Sequence, residues 1–476
     1  RNMVFSSIVF LLYFLPVFLA TYYFADKKYK NIVILFFSIF FYSWGAPKFI
    51  FVILGTTFID FHVVKWMSQT QKQIYRKWLL ALSVSINLGL LIYFKYSNFF
   101  IENVNALLSV FENSNIHWTK LALPIGISFY TFETITYVVD VYRGVHKPLD
   151  NFWDYQLYII LFPKLIAGPI VRYHDLADQI TDRSKNETID NKLIGFYRFA
   201  IGLSKKVLIA NYLGQQADAI FSMNYTGLDT YSAWIGILAY TFQIYFDFSG
   251  YSDMAIGIAK MIGFKFPENF NNPYISRSIT EFWRRWHITL GAWMKNYLYI
   301  PLGGNRVATK KRLYFNLWIV FLASGLWHGA SWNFVIWGAY HGLFLVLERS
   351  FLLNLYSKIG KLLSTIITFF IVVVGWVFFR VENLTDALIY LKRMVALDFS
   401  HTLSFNVEFY VFLAIAVFFA FFAYFDKGQK IQNAVYFNTY SNKKHVGICA
   451  LSLMLMLLCI SSITAFGFNP FIYFRF

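Results

Sequence analysis

Long unbroken apolar runs recur along this chain and leave it few folds to choose from. They lie at residues 4–24, 31–44, 49–62, 78–93, 121–139 and 230–246, then at 313–327, 332–347, 362–379, 409–424 and 446–465. Crossing the hydrocarbon core of a bilayer takes ~20 residues of α-helix, fewer where flanking side chains reach the interface. The runs therefore supply about eleven candidate membrane helices. They are continuous rather than alternating, which argues against a transmembrane β-barrel. Only 14% of the 476 residues are charged and 58% are hydrophobic, whereas an ordinary globular protein carries about 25% charged residues. The expectation is one all-α, polytopic membrane domain over residues 1–476, not a string of soluble domains.

The formal net charge is +17, from 42 Lys and Arg against 25 Asp and Glu. In a soluble chain that excess would suggest nucleic acid; in a membrane protein it accumulates in cytoplasmic loops. The connections follow that pattern. "DKKYK" (residues 26–30) and "KWMSQTQKQIYRK" (65–77) are basic, whereas the loop read at 96–119 has no Lys or Arg and carries Glu102 and Glu112. Arg143 and Lys147 return after the fifth run, and residues 426–445 hold four lysines. The alternation puts the N-terminus outside and removes the need for a nucleic-acid partner. The first run is too long for a signal peptide and reads as a membrane helix. Cys449 and Cys459 share one apolar run, so no disulfide framework or Cys/His metal spacing is present.

Two stretches depart from simple spans. Between residues 151 and 196 an apolar segment is interrupted by Pro163, Gly168 and Pro169. Proline removes a helical hydrogen bond and clashes one turn back, and irregular backbone at membrane depth survives only when buried in protein or lining a cavity. A re-entrant or interfacial helix pair is expected there. Residues 263–312 are aromatic and basic and read as helices at the cytoplasmic surface. Interrupted segments of this kind commonly surround a site.

Ionisable residues within apolar runs are costly and point to function by default. "FQIYFDFSGYSDMAIG" (242–257) carries Asp247 and Asp253. In "FWRRWHITL" (282–290), a continuous helix puts Trp283 and His287 on one face and sets Glu281 beside Arg284 and Arg285. Interfacial anchoring is the alternative role for these two arginines. "GLWHGASWNFVIWGAYHG" (325–342) holds His328 and His341, thirteen positions apart. His328 ends an apolar run just before Gly329, where a helix break would open its imidazole to a cavity. His341 lies between Gly338 and Gly342, a small-residue packing face, and suits packing or a supporting role. A neutral imidazole is a competent general base near pH 7.

"FWRRWHITLGAWMKNYLYIPLGGNR" (282–306) followed by residues 325–342 resembles the membrane-bound O-acyltransferase family, in the bacterial branch that includes alginate O-acetylation membrane subunits. "LPIGISFYTF" (123–132), "FPKLIAGPI" (162–170) and "YFDFSGYSDMAIG" (245–257) match the same branch in order. The resemblance covers residues 3–380, and 381–476 match only in hydropathy, as C-terminal membrane helices. It implies a central funnel with the "WHG" histidine, His328, as the leading catalytic residue and the "RWH" histidine, His287, as a second. It also implies transfer of an acetyl group from a cytoplasmic donor, acetyl-CoA, to the outer side of the membrane, for O-acetylation of an exported polysaccharide such as alginate. The partners implied are an exported SGNH-type acetyltransferase and the polysaccharide export machinery. This sequence shows no Gly-Asp-Ser nucleophile motif of that partner type.

Under that reading coenzyme A is a donor substrate and not a resident cofactor. Its phosphates would meet Arg284, Arg285, Lys295 and Arg306 at a basic cytoplasmic mouth. His328 would act either as general base or through an acyl-imidazole, with His341 and Asp247 supporting it and no metal required. Two alternatives stand beside this reading. One is D-alanyl transfer to teichoic acid from a carrier-protein thioester. The other is a polysaccharide or lipid transporter with a histidine proton relay, a class that usually shows internal repeats.

Overall fold

The computed structural model describes residues 3–111, 116–400, 403–438, 440–467 and 471–472. Its elements are helical, with no strand among the described residues. Each apolar run falls on a helix: Phe10–Phe24, Lys30–Gly45, Ile50–Gln69, Gln73–Val110, Ile127–Arg143, Thr230–Met261, Lys310–His328, Trp332–Leu347, Lys361–Arg380, Val407–Phe421 and Asn442–Phe466. Among the described residues five helices are long and apolar enough on their own to cross a membrane, those beginning at Ile50, Gln73, Lys361, Val407 and Asn442. Contacts divide the chain into two compact units, residues 1–192 with 258–267, and 193–257 with 268–476.

In the first unit the helix Gln73–Val110 runs 38 residues, or about 57 Å at 1.5 Å per residue. Much of the loop read at 96–119 is therefore helix; Glu112 lies outside the described residues. Hydropathy reports where lipid contact ends, while the backbone keeps its helical bonds into water. Asp60 on the preceding helix is buried and accepts hydrogen bonds from Ser83 Oγ and from Asn87 Nδ2 at 2.8 Å. A buried carboxylate with two donors ties these helices together at low cost.

The interrupted segment is broken as its prolines predict, into Phe152–Ile160, Phe162–Leu165 and Tyr173–Thr181. Two of the quoted motifs meet here. Gly126 starts the helix Ile127–Arg143 at φ 76°, and a Cβ built on it would lie 2.5 Å from Leu165 O. Glycine alone allows both the backbone angle and the approach. Alongside, Lys164 pairs with Glu133, both wholly buried. Each charge compensates the other in a setting where neither could be buried alone.

In the second unit the helices Lys310–His328 and Trp332–Leu347 pack with almost no side chain between them. A Cβ on Gly325 would sit 2.3 Å from Phe334 O, and one on Gly338 would sit 2.3 Å from Phe321 O. Apolar helices in a membrane gain by such close approach, because lipid offers no hydrophobic drive to separate or join them. This contact fixes His328 and His341 relative to each other. Residues 273–299 form short helices, Pro273–Ile275, Ile279–Arg285, Ile288–Met294 and Lys295–Tyr299. They are not purely a surface layer: Trp286 and His287 are each only 1% exposed.

Candidate active site

His328 is the last residue of its helix, and Gly329 caps it in extended backbone. The imidazole is 4% exposed, with Nδ1 2.7 Å from Ser324 O. A carbonyl oxygen only accepts, so Nδ1 carries the ring hydrogen and Nε2 presents the lone pair. A base needs that tautomer: once Nε2 takes a proton, the Nδ1–H bond to a carbonyl helps hold the cation. The rings of Trp327 and Trp337 lie 4.9 Å from His328 and that of Phe379 lies 5.6 Å away, each edge-on. These walls exclude water and fix the imidazole plane.

His287 reaches the same cluster from a different element. Its ring centroid is 5.8 Å from Trp327 and 4.8 Å from Phe248, so Trp327 is bracketed by His287 and His328. The expected shared face of Trp283 and His287 does not form. The helix Ile279–Arg285 stops short of His287, which sits at φ 46° and ψ 53°. Trp283 instead packs on His341 and Trp337, at 5.1 and 5.5 Å. A non-glycine residue in left-handed backbone is strained, and such strain gathers at functional sites. Burial, and secondarily the neighbouring His328, hold the His287 imidazole well below the usual histidine pKa range, so it stays neutral at physiological pH.

His341 is 1% exposed and flanked by Trp337, Trp283 and Tyr340. Its Nδ1 has no hydrogen-bond partner among the described residues, and its Nε2 faces Gly375, 3.0 Å from where a Cβ would stand. It fills space between helices. Asp247 is buried, pairs with Lys206 and accepts the Ile472 N–H at 2.9 Å. It anchors Ile472, with no histidine bound to its carboxylate among the described residues. Asp253 is bound by Arg198 and Lys205.

Of the candidate phosphate ligands, Arg284, Lys295 and Arg306 are exposed, whereas Arg285 donates to Glu281 at 2.9 Å and to Asn271 O at 3.1 Å. No group of three metal-ligating side chains is found among the described residues. A cavity of about 440 Å³ in the same unit is lined by Lys205, Tyr245, Asn272, Gln432 and Tyr436 among others, with no histidine on its wall. It is separate from the imidazole cluster. Sequence reading missed Asn269, wholly buried and bonded to His287 at 3.0 Å. Its signal was a polar "NFNN" stretch within aromatic surroundings, 18 residues before the histidine.

Two buried imidazoles walled by tryptophan, one with Nδ1 held by a carbonyl oxygen, suit deprotonation of a hydroxyl beside an activated acyl group. The MBOAT, membrane-bound O-acyltransferase family, matches residues 145–381. A probable alginate O-acetylase AlgI of Pseudomonas aeruginosa is 47% identical over 387 residues, 81% of this chain and 73% of the relative. A peptidoglycan O-acetyltransferase of Helicobacter pylori is 38% identical over 430 residues, 83% of this chain and 80% of the relative. A teichoic acid D-alanyltransferase of Bacillus subtilis is 29% identical over 281 residues, 54% of this chain and 68% of the relative. The chain belongs to the membrane-bound O-acyltransferase family. It is an integral membrane protein and an O-acyltransferase.

Proposed function

We propose that this enzyme takes an acetyl group from cytoplasmic acetyl-CoA and passes it across the membrane for O-acetylation of an exported polysaccharide, alginate being the acceptor favoured by the relatives near 47% identity. The observation that carries the reading is the pair of histidines bracketing Trp327, with the Nδ1 of His328 committed to Ser324 O. His328 Nε2 removes the proton from the acceptor hydroxyl as its oxygen attacks the thioester carbonyl. The carbon–sulfur bond then breaks, and the proton passes to the departing thiolate. A thioester is already activated, so a single well-placed base is sufficient. His287 lines the site and positions substrate.

Exposed Arg284, Lys295 and Arg306 supply positive charge for the donor's phosphates, and an exported SGNH-type acetyltransferase with the export machinery completes delivery to the polymer. The test uses inverted membrane vesicles bearing the protein and this machinery. Labelled acetyl-CoA added outside, at the former cytoplasmic face, is expected to leave ester label in the polymer. Label entering only from a D-alanyl carrier-protein thioester overturns the reading.

Orientation has its own test. With Cys449 and Cys459 replaced, Lys72→Cys is expected to resist an impermeant thiol reagent in intact cells, while Glu102→Cys reacts. Both positions are exposed. The opposite pattern reverses the topology. His287→Ala is expected to lower transfer about 10-fold to 100-fold without ending it, as removal of a positioning group does. Wild-type rates in the purified variant remove His287 from the site.

A further inference from the structure

His287 is held by one side chain whose geometry decides which ring nitrogen is available. Asn269 Oδ1 meets three groups: the Thr289 backbone N at 3.3 Å, Thr289 Oγ1 at 2.9 Å and His287 Nδ1 at 3.0 Å. A backbone N–H can only donate, so the amide atom it meets is the oxygen. The amide nitrogen then donates to Ser252 Oγ at 3.0 Å. The Thr289 amide thus fixes the orientation of Asn269. The backbone adds a clamp, since Ile288 N donates to Asn269 O at 2.9 Å. This clamp and the Thr289 bonds hold the chain just after His287, where it takes up its left-handed conformation.

An oxygen acceptor at Nδ1 requires that nitrogen to carry the hydrogen in the neutral ring. His287 Nε2 is then a bare lone pair. It is buried and has no partner among the described residues. A buried acceptor without a donor is costly and rare in folded proteins. The site is thereby poised to receive an N–H or O–H from outside the chain.

We propose that Asn269 is the positioning residue that locks His287 in the Nδ1–H tautomer, so that Nε2 accepts a hydrogen bond from an N–H or O–H of the bound substrate. The inference rests on the acyl-transfer reading above. It adds the identity of the controlling residue and the polarity of the contact: His287 recognises a donor on the substrate and offers none itself. Histidine tautomers are commonly set by the group bound to the other ring nitrogen; here a neutral amide does this, which leaves the ring uncharged in its buried setting.

The first measurement needs no variant. In full-length protein with ¹⁵N-labelled histidine, the His287 signals, assigned by their loss in His287→Ala, are expected to show hydrogen on Nδ1 and none on Nε2. A proton on Nε2 overturns the proposal. The second measurement is a double-mutant cycle on transfer rate, at matched protein abundance. Asn269→Ala is expected to cost about tenfold, the effect of one lost hydrogen bond, yet to cost nothing further in a His287→Ala background. An equal additional loss there means that Asn269 acts independently of His287. Asn269→Asp keeps an oxygen at Nδ1 and is expected to restore most of the rate. Its carboxylate also favours the imidazolium, raising the His287 pKa, so the acid limb of the pH profile moves to higher pH; an unmoved limb counts against the proposal. Normal transfer in His287→Ala defeats the functional reading of that histidine. Normal transfer in Asn269→Ala alongside an impaired His287→Ala defeats only this inference.

Discussion

His328→Ala is expected to leave the exported polymer essentially without acetyl ester while the protein accumulates at near-normal levels. The substitution removes Nε2, the atom that takes the hydroxyl proton, together with the Nδ1–H bond to Ser324 O. General-base removal typically costs ~10²–10⁴-fold in rate. The structural loss is smaller. Trp337 and Phe379 pack on one another as well as on His328, Phe379 also meets Phe334, Trp327 also meets His287, and Trp337 stacks with Trp376 at 6.0 Å. The helix ends at residue 328 in any case, so no interior turn depends on the side chain. Ester content of the polymer, read beside protein abundance by blot, checks this. Normal ester content in a well-accumulated variant removes His328 from the chemistry. His341→Ala is the control. It opens a cavity between tightly packed helices, so abundance is expected to fall, yet ester formed per protein molecule stays near that of the unaltered enzyme.

The contrast between these histidines shows what could be read in advance. His328 was legible because a run of apolar residues stops at a glycine, and local pattern is what ends a helix there. The Gly338 and Gly342 spacing beside His341 was legible for a similar reason, since close helix packing leaves small residues at a fixed interval. His287 was legible as a residue but its conformation was not. "FWRRWHITL" has the periodicity of one continuous helix. The break between Arg285 and Ile288 is helped by Asn269, far back in the chain, whose backbone and side-chain oxygens take the Ile288 and Thr289 amides. No local rule contains that competitor. The Gln73–Val110 helix failed in the other direction. Its outer turns are polar, so hydropathy ended it too early, although nothing in "YSNFFIENVNALLSV" breaks a helix.

The buried acids of the helix Thr230–Met261 separate along the same line. Their placement in an apolar run marked both as consequential, but their partners were invisible, because Lys205 and Lys206 lie on another helix some forty to fifty residues earlier. Asp247 and Asp253 lie less than two turns apart on one helix, yet the two carboxylates serve different contacts. Asp247 holds Lys206 and the Ile472 amide, while Asp253 stands within a denser group of charges.

That group makes Asp253→Ala a substitution expected to cost the fold and not the chemistry. Asp253 Oδ1 accepts from Arg198 Nε and Nη2 at 3.0 and 2.8 Å, and its Oδ2 accepts from Lys205 Nζ at 2.6 Å. Arg198 also donates from Nη1 to Glu268 Oε1 at 2.7 Å, and it is itself only 5% exposed. Two cations and two carboxylates balance; removing Asp253 leaves one positive charge in excess where water is scarce. Breaking a buried pair by deleting one partner costs about 3–5 kcal/mol, a large share of the ~5–15 kcal/mol that keeps a typical domain folded. Membrane abundance and melting temperature of Asp253→Ala are therefore expected to fall sharply, while the residual protein still transfers acetyl groups at a comparable rate per molecule. Restoring neutrality is the sharper arm. Asp253→Asn combined with Lys205→Met balances Arg198 against Glu268, and it is expected to recover much of the lost abundance. A stable, abundant Asp253→Ala protein that transfers nothing would instead move Asp253 out of the scaffold and into the reaction.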